Sequence, residues 1–128
     1  MKILIVDDSA TARMVLKKAI PAAYSPVIQE AVDGRDGLEK FRSFLPDLTF
    51  LDLTMPVMDG FEALELLHRE FPRALIAILS ADIQKQAFSR AADLGAWRFL
   101  KKPPTSGEVG TVLADAAAAL EAKQQNGL

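Results

Sequence analysis

Short apolar runs recur five times along this chain, each separated from the next by a longer stretch whose apolar residues return with helical spacing. Strands alternating with helices in this way point to a parallel sheet with helices packed on its faces. We place the strands at Lys2–Val6, Val27–Ala31, Leu48–Asp52, Leu75–Leu79 and Arg98–Leu100, with helices filling the intervals. The first, third and fourth are almost continuously apolar, as strands covered on both faces are. The second carries Gln29 and Glu30, and the fifth is short and carries Arg98, which suits edges that meet water.

Central strands one, three and four with edge strands two and five are satisfied by the order 2-1-3-4-5. That order is the flavodoxin-like (βα)5 doubly wound arrangement, matched here to a known α/β fold. A length of 128 residues suits one hydrophobic core. We therefore expect a single domain over residues 1–122 and a tail over 123–128, because Gln124 to Leu128 has too little apolar content to need docking. The last helix shows its period best: Val109, Val112, Leu113, Ala116, Ala117 and Leu120 form one stripe, and Thr105-x-x-Glu108 reads as a capping box. Gly107 and Gly110 lower helix propensity in its first turns.

Composition removes several function classes. A formal charge of −2 leaves no excess of Lys and Arg for a nucleic-acid backbone, so we expect no direct nucleic-acid binding. With no Cys there is neither a disulfide framework nor a thiolate metal site. Runs such as Ile3-Leu4-Ile5-Val6 are too short to span a bilayer, and no signal-peptide arrangement precedes them. The expectation is a cytoplasmic protein without membrane contact.

In such a sheet, right-handed crossovers bring the carboxyl ends of all strands to one edge, where ligands bind. Strand one ends there in Asp7 and Asp8, strand three in Asp52, strand four in Ser80, and strand five in Lys101 and Lys102. Three neighbouring carboxylates repel one another unless their pKa values rise or a cation sits among them. All the available ligands are oxygens, with no His or Cys beside them, which favours magnesium over zinc or copper. We expect Asp8 and Asp52 as direct ligands and Asp7 acting through water. A carboxylate in that company can attack phosphorus to form an aspartyl phosphate, with a Lys ammonium and the Ser80 hydroxyl on the phosphoryl oxygens. Neighbouring strand residues point to opposite sides, so only one of Lys101 and Lys102 can face the acids.

In order and spacing, four segments resemble the receiver domains of response regulators. They are Val6-Asp7-Asp8-Ser9, Leu51-Asp52-Leu53-Thr54-Met55-Pro56-Val57-Met58-Asp59-Gly60, Leu79-Ser80-Ala81 and Gly95-Ala96-x-x-Phe99-Leu100-x-Lys102-Pro103. The likeness covers essentially the whole chain. It implies a two-component phospho-acceptor switch with Asp52 as the phosphorylation site, and no enzyme activity beyond phosphotransfer to Asp52 and its autodephosphorylation. The resemblance also implies Asp7, Asp8, Asp52 and the Thr54 backbone carbonyl around Mg2+, Lys102 before a cis bond to Pro103 as the contacting cation, and Ser80 and Phe99 as switch residues. Those two would reshape the face of helix four, strand five and helix five. The implied partners are a sensor histidine kinase or phosphotransfer protein and a downstream protein target, with the chain a monomer or a phosphorylation-dependent dimer. Two departures stand out: Pro104 replaces a bulky apolar residue at the start of the last helix, and Phe99 lacks the hydroxyl of the Tyr often found there.

The same residues also admit simpler readings. Taken alone, Asp7 and Asp8 serve equally well to start a helix, and Asp59-Gly60 is a turn and helix start as well as a family marker. His68 reads as a solvated surface residue, Met55 and Met58 as shelter for the site, and Trp97 as packing, with partner contact as its alternative. Thr54 and Asp82 flank the site and are expected to tune the lifetime of the phosphorylated form. Among other functions, a haloacid-dehalogenase-like phosphatase would want a second Asp two positions after the nucleophile, where Thr54 stands. A flavin or nucleotide carrier would want a phosphate cradle where Asp7 and Asp8 stand. A receiver cut from a longer regulator with an output domain is the nearest alternative.

Overall fold

The computed structural model describes residues 1–55, 57–81 and 84–126. Pro56 and Asp82, both named above, lie outside the described residues, as do Gly127 and Leu128 of the expected tail. Five parallel strands, β1 (Lys2–Val6), β2 (Val27–Ala31), β3 (Leu48–Asp52), β4 (Ile76–Ser80) and β5 (Arg98–Lys101), form one sheet in the order β2-β1-β3-β4-β5. Between and after them run α1 (Ala10–Ala19), α2 (Gly34–Phe44), α3 (Gly60–Glu70), α4 (Lys85–Asp93) and α5 (Ser106–Asn126). This is the expected flavodoxin-like α/β fold.

Because strand side chains alternate between faces, the sheet divides its core in two. Leu4, Val6, Leu51, Ile76 and Ile78 face one layer with Phe41 of α2, Leu64 and Leu67 of α3 and Ala91 of α4. Ile3, Ile5, Leu48, Phe50 and Leu79 face the other with Leu16 of α1 and Val109, Val112, Leu113 and Ala116 of α5. β3 and β4 are buried along their whole lengths, while β2 alternates in exposure and β5 is exposed at both ends, as edge strands are.

Several boundaries move for identifiable reasons. β4 starts at Ile76 and not Leu75, because ladder pairing with β3 begins at Thr49 opposite Ile76. β5 gains Lys101, paired with Ser80. A single 3-10 turn over Ala22–Tyr24 fills the approach to β2. α5 begins at Ser106 despite Gly107 and Gly110, because its capping box is reciprocal: Glu108 N–H donates to Thr105 Oγ1 and Thr105 N–H to Glu108 Oε1, both at 3.1 Å. At its other end α5 continues to Asn126, into the segment expected as a tail, since Ala, Glu, Lys and Gln there are strong helix formers.

The reading of His68 as a solvated residue needs correction. It is half-buried, and its ring packs against Gly95, where an added Cβ would stand 2.3 Å from His68 Cγ. Gly95 also has φ +104°, so glycine is required both by the backbone turn that ends α4 and by the imidazole against it. Trp97 is half-buried against the α1 and α5 layer of the core, with the Arg98 guanidinium 4.2 Å from its ring centroid on the outer side.

Candidate functional site

The parallel register aligns the strand ends that carry the polar residues: Val6 lies opposite Leu51, Asp52 opposite Leu79, and Ser80 opposite Lys101. Just past these pairs the chain turns into helices, and each turn is locally secured. Ser9 caps α1, its hydroxyl accepting from Ala12 N–H at 3.1 Å, so the helix start falls to Ser9 and leaves Asp7 and Asp8 for other work. Asp59 caps α3 through Glu62 N–H, and Gly60 N–H donates back to Leu53 O at 2.9 Å. The helix following β3 is thereby held at the strand end.

Oxygen atoms of Asp7, Asp8 and Asp52 all lie within 4.8 Å of one another. Asp7 and Asp52 are buried and Asp8 is exposed, so the cluster is closed beneath and open above. Lys102 enters from beyond β5, its Nζ 2.6 Å from Asp7 Oδ2 and 3.4 Å from Asp52 Oδ2. The peptide to Pro103 is cis, and Lys102 N–H donates to Ser80 O at 2.9 Å. Lys101 is exposed, paired with Ser80 in the ladder. Ser80 is itself buried, and Thr54 N–H donates to Asp52 Oδ1 at 3.3 Å. Phe99 lies apart from the acids, half-buried and stacked on Phe88 of α4 with ring centroids 3.8 Å apart.

The electrostatics of the cluster are under-compensated. Burial pushes the Asp52 carboxyl above the usual carboxylate value; Lys102 pulls it down and Asp7 pushes it up again. For Lys102 burial works to lower the ammonium, yet its hydrogen bond to Asp7 and the charges of Asp52 and Asp7 together carry it above the usual lysine value. One ammonium thus pairs with two of the three clustered carboxylates, and it sits nearer Asp7 than Asp52. A further cation is the simplest relief. The donors are all oxygens, partly open to water, which fits magnesium, an ion that keeps several waters and takes few carboxylates.

Two contributors carried no signal in the periodicity. Arg13, one turn into α1, donates from its guanidinium to Asp7 O at 2.6 Å and to Glu30 Oε1 at 2.9 Å. Ser9 N–H donates to Asp7 Oδ1 at 2.9 Å. The spacing of Arg13 four residues after a capping serine, with Glu30 on the strand that pairs with β1, was the available hint.

Comparison with known proteins places these features in company. Residues 3–114 match the family described as the response regulator receiver domain. The chain is 39% identical over 102 residues to chemotaxis protein CheY of Thermotoga maritima, spanning 80% of this chain and 85% of that protein. It is 37% identical over 118 residues to a protein-glutamate methylesterase/protein-glutamine glutaminase of Geobacter sulfurreducens, covering 90% of this chain but only 32% of that longer protein. Among solved structures, the CheX-CheY-BeF3-Mg2+ complex of Borrelia burgdorferi superposes with a TM-score of 0.83 at 27% identity, covering 90% of this chain and 87% of that one.

Proposed function

Since the chain belongs to the response regulator receiver domain family of two-component systems, we propose that Asp52 is its phospho-acceptor and that phosphorylation works it as a switch. One observation carries this reading: the Lys102 ammonium stands among buried carboxylates at the sheet edge, 2.6 Å from Asp7 and 3.4 Å from Asp52. A structural ion pair would need one carboxylate. Here an extra acid remains as nucleophile, with a cation beside it to meet the incoming phosphoryl oxygens.

In the proposed reaction a carboxylate oxygen of Asp52 forms a bond to phosphorus as the bond from phosphorus to a donor histidine nitrogen breaks, and the imidazole leaves with the electron pair. Lys102 contacts the phosphoryl group, and the buried Ser80 hydroxyl turns to it. Asp7, Asp8, Asp52 and the Thr54 backbone carbonyl would hold magnesium, which when bound offsets the negative charge gathered on acids and phosphoryl oxygens. Asp7 already has Oδ1 on Ser9 N–H and Oδ2 on Lys102, which supports direct ligation by Asp8 and Asp52 and a water-mediated role for Asp7. The domain's own chemistry is this transfer and the later hydrolysis of the aspartyl phosphate.

Ser80 and Phe99 would relay the change to the face of α4, β5 and α5, read by a downstream protein; a phosphohistidine kinase or phosphotransfer protein would supply the phosphoryl group. Among the described residues no helix is long and apolar enough to cross a membrane, and we place the protein in the cytoplasm, where such a donor would act. We take residues 1–122 as the receiver unit, which the match over 3–114 supports. The phosphatase reading has nothing further in its favour, with Thr54 where its second acid would stand. Incubation with acetyl phosphate and MgCl2 should add one phosphoryl mass to the protein and none to Asp52→Ala; an Asp52→Ala protein that still gained it would remove Asp52 from the role.

A further inference from the structure

Four contacts pin Asp7, and one comes from a residue with no task in the reaction above. Asp7 N–H donates to Ala31 O of β2 at 3.0 Å, Oδ1 accepts from Ser9 N–H at 2.9 Å, and Oδ2 accepts from Lys102 Nζ at 2.6 Å. The fourth is the carbonyl oxygen, which accepts from the Arg13 guanidinium at 2.6 Å. Arg13 is itself anchored, Nε to Glu30 Oε1 at 2.9 Å, with a side chain only 14% exposed. Lys17 Nζ holds the other Glu30 oxygen at 3.0 Å. A single planar fork therefore ties the turn after β1 to the edge strand β2, a geometry that one ammonium reproduces poorly.

The carbonyl that Arg13 grips belongs to the peptide joining Asp7 to Asp8. Rotation of that peptide would swing Asp8, and Asp8 is the exposed member of three mutually repelling carboxylates. Without a restraint, repulsion turns it outward before any cation arrives. Groups that hold ligands from behind in this way commonly matter to metal affinity nearly as much as the ligands do.

We infer that Arg13 is a positioning residue that presets Asp8 for magnesium, acting through the Asp7 carbonyl and anchored by Glu30. This rests on Asp7, Asp8 and Asp52 being the magnesium site. Titrating MgCl2 at constant ionic strength, with the heat of binding measured by isothermal titration calorimetry as readout, separates the two ideas. Wild type should bind magnesium with a defined titration midpoint, which Arg13→Ala should raise about tenfold, with Arg13→Lys recovering part of the loss. If wild type does not respond to MgCl2, the magnesium site and this inference fail together. If wild type responds and Arg13→Ala melts lower yet titrates with the wild-type midpoint, Arg13 is only structural and the inference is overturned. Should Arg13→Ala not fold, Arg13→Lys decides the matter by the same comparison: a raised midpoint supports the inference and a wild-type midpoint overturns it.

Discussion

Gly60 stands directly against Asp52: a Cβ added to Gly60 would lie 2.1 Å from the Asp52 carbonyl oxygen and 2.4 Å from Leu53 Cα. The obstructing atoms are backbone at the end of a fully buried strand, so they cannot step aside as a side chain would. Gly60→Ala must therefore push the start of α3 away from the strand that carries the proposed phospho-acceptor. We expect a loss of about 1–3 kcal/mol, the usual cost of overpacking, measured by urea unfolding. An unchanged unfolding midpoint would show that the turn yields without cost.

Burial makes the ionised Asp52 carboxylate a load on the metal-free fold. Its folded pKa lies above the ordinary 3.8, with burial the first cause and Lys102 only partly opposing it. The folded state therefore binds this proton more tightly than the unfolded state. The contribution to stability is complete below pH 3.8 and is lost as the pH rises through the folded value. Asp52→Asn removes the charge and keeps the shape, so in EDTA at neutral pH it should unfold at higher urea than wild type. The advantage should shrink as both are acidified through the carboxylate range. A variant less stable than wild type at neutral pH in EDTA would mean that Lys102 outweighs burial at this position.

How much of this was legible beforehand depends on the range of the interaction concerned. β1, β2 and β3 fall at the expected residues because an apolar run shows in local sequence, and the order follows from which runs are apolar on both faces. The site acids were legible because the fold delivers strand ends to one edge, whatever joins them. Long-range contacts with no repeat were not legible. Arg13 reaches Glu30 across a separation of 17 residues, and Gly95 receives the ring of His68 from another helix. Neither leaves a period in the sequence. α5 runs on past its last apolar residue because a helix already started can continue on propensity alone, a reach that apolar spacing does not mark.

Thr49 is a polar residue in a fully buried strand, and its Oγ1 has no hydrogen-bond partner. Its backbone N–H is used, donating to Leu75 O at 3.0 Å, so only the hydroxyl is stranded. Valine has nearly the same shape and nothing to desolvate. Thr49→Val should therefore stabilise the domain by about 1 kcal/mol, within the penalty for an unsatisfied buried group, read as a shift of the urea midpoint with unchanged slope. Destabilisation would show that the hydroxyl makes a bond in solution that the static structure does not contain.

Phe88 of α4 is 40% exposed yet stacked on Phe99 of β5, with centroids 3.8 Å apart and ring planes 28° from parallel. Phe99 has no hydroxyl, so the stack is the visible contact that ties this residue to α4. If the pair holds Phe99 in its present orientation, the two rings must be energetically coupled beyond the area each buries. A double-mutant cycle with Phe88→Ala, Phe99→Ala and the double variant should give a coupling of about 0.5–1.5 kcal/mol, the range for aromatic pairs. Additive losses would mean that the rings are neighbours without being partners. In that event α4 does not restrain Phe99, and any movement of that ring on phosphorylation would have to be set by Ser80 and the core beneath it.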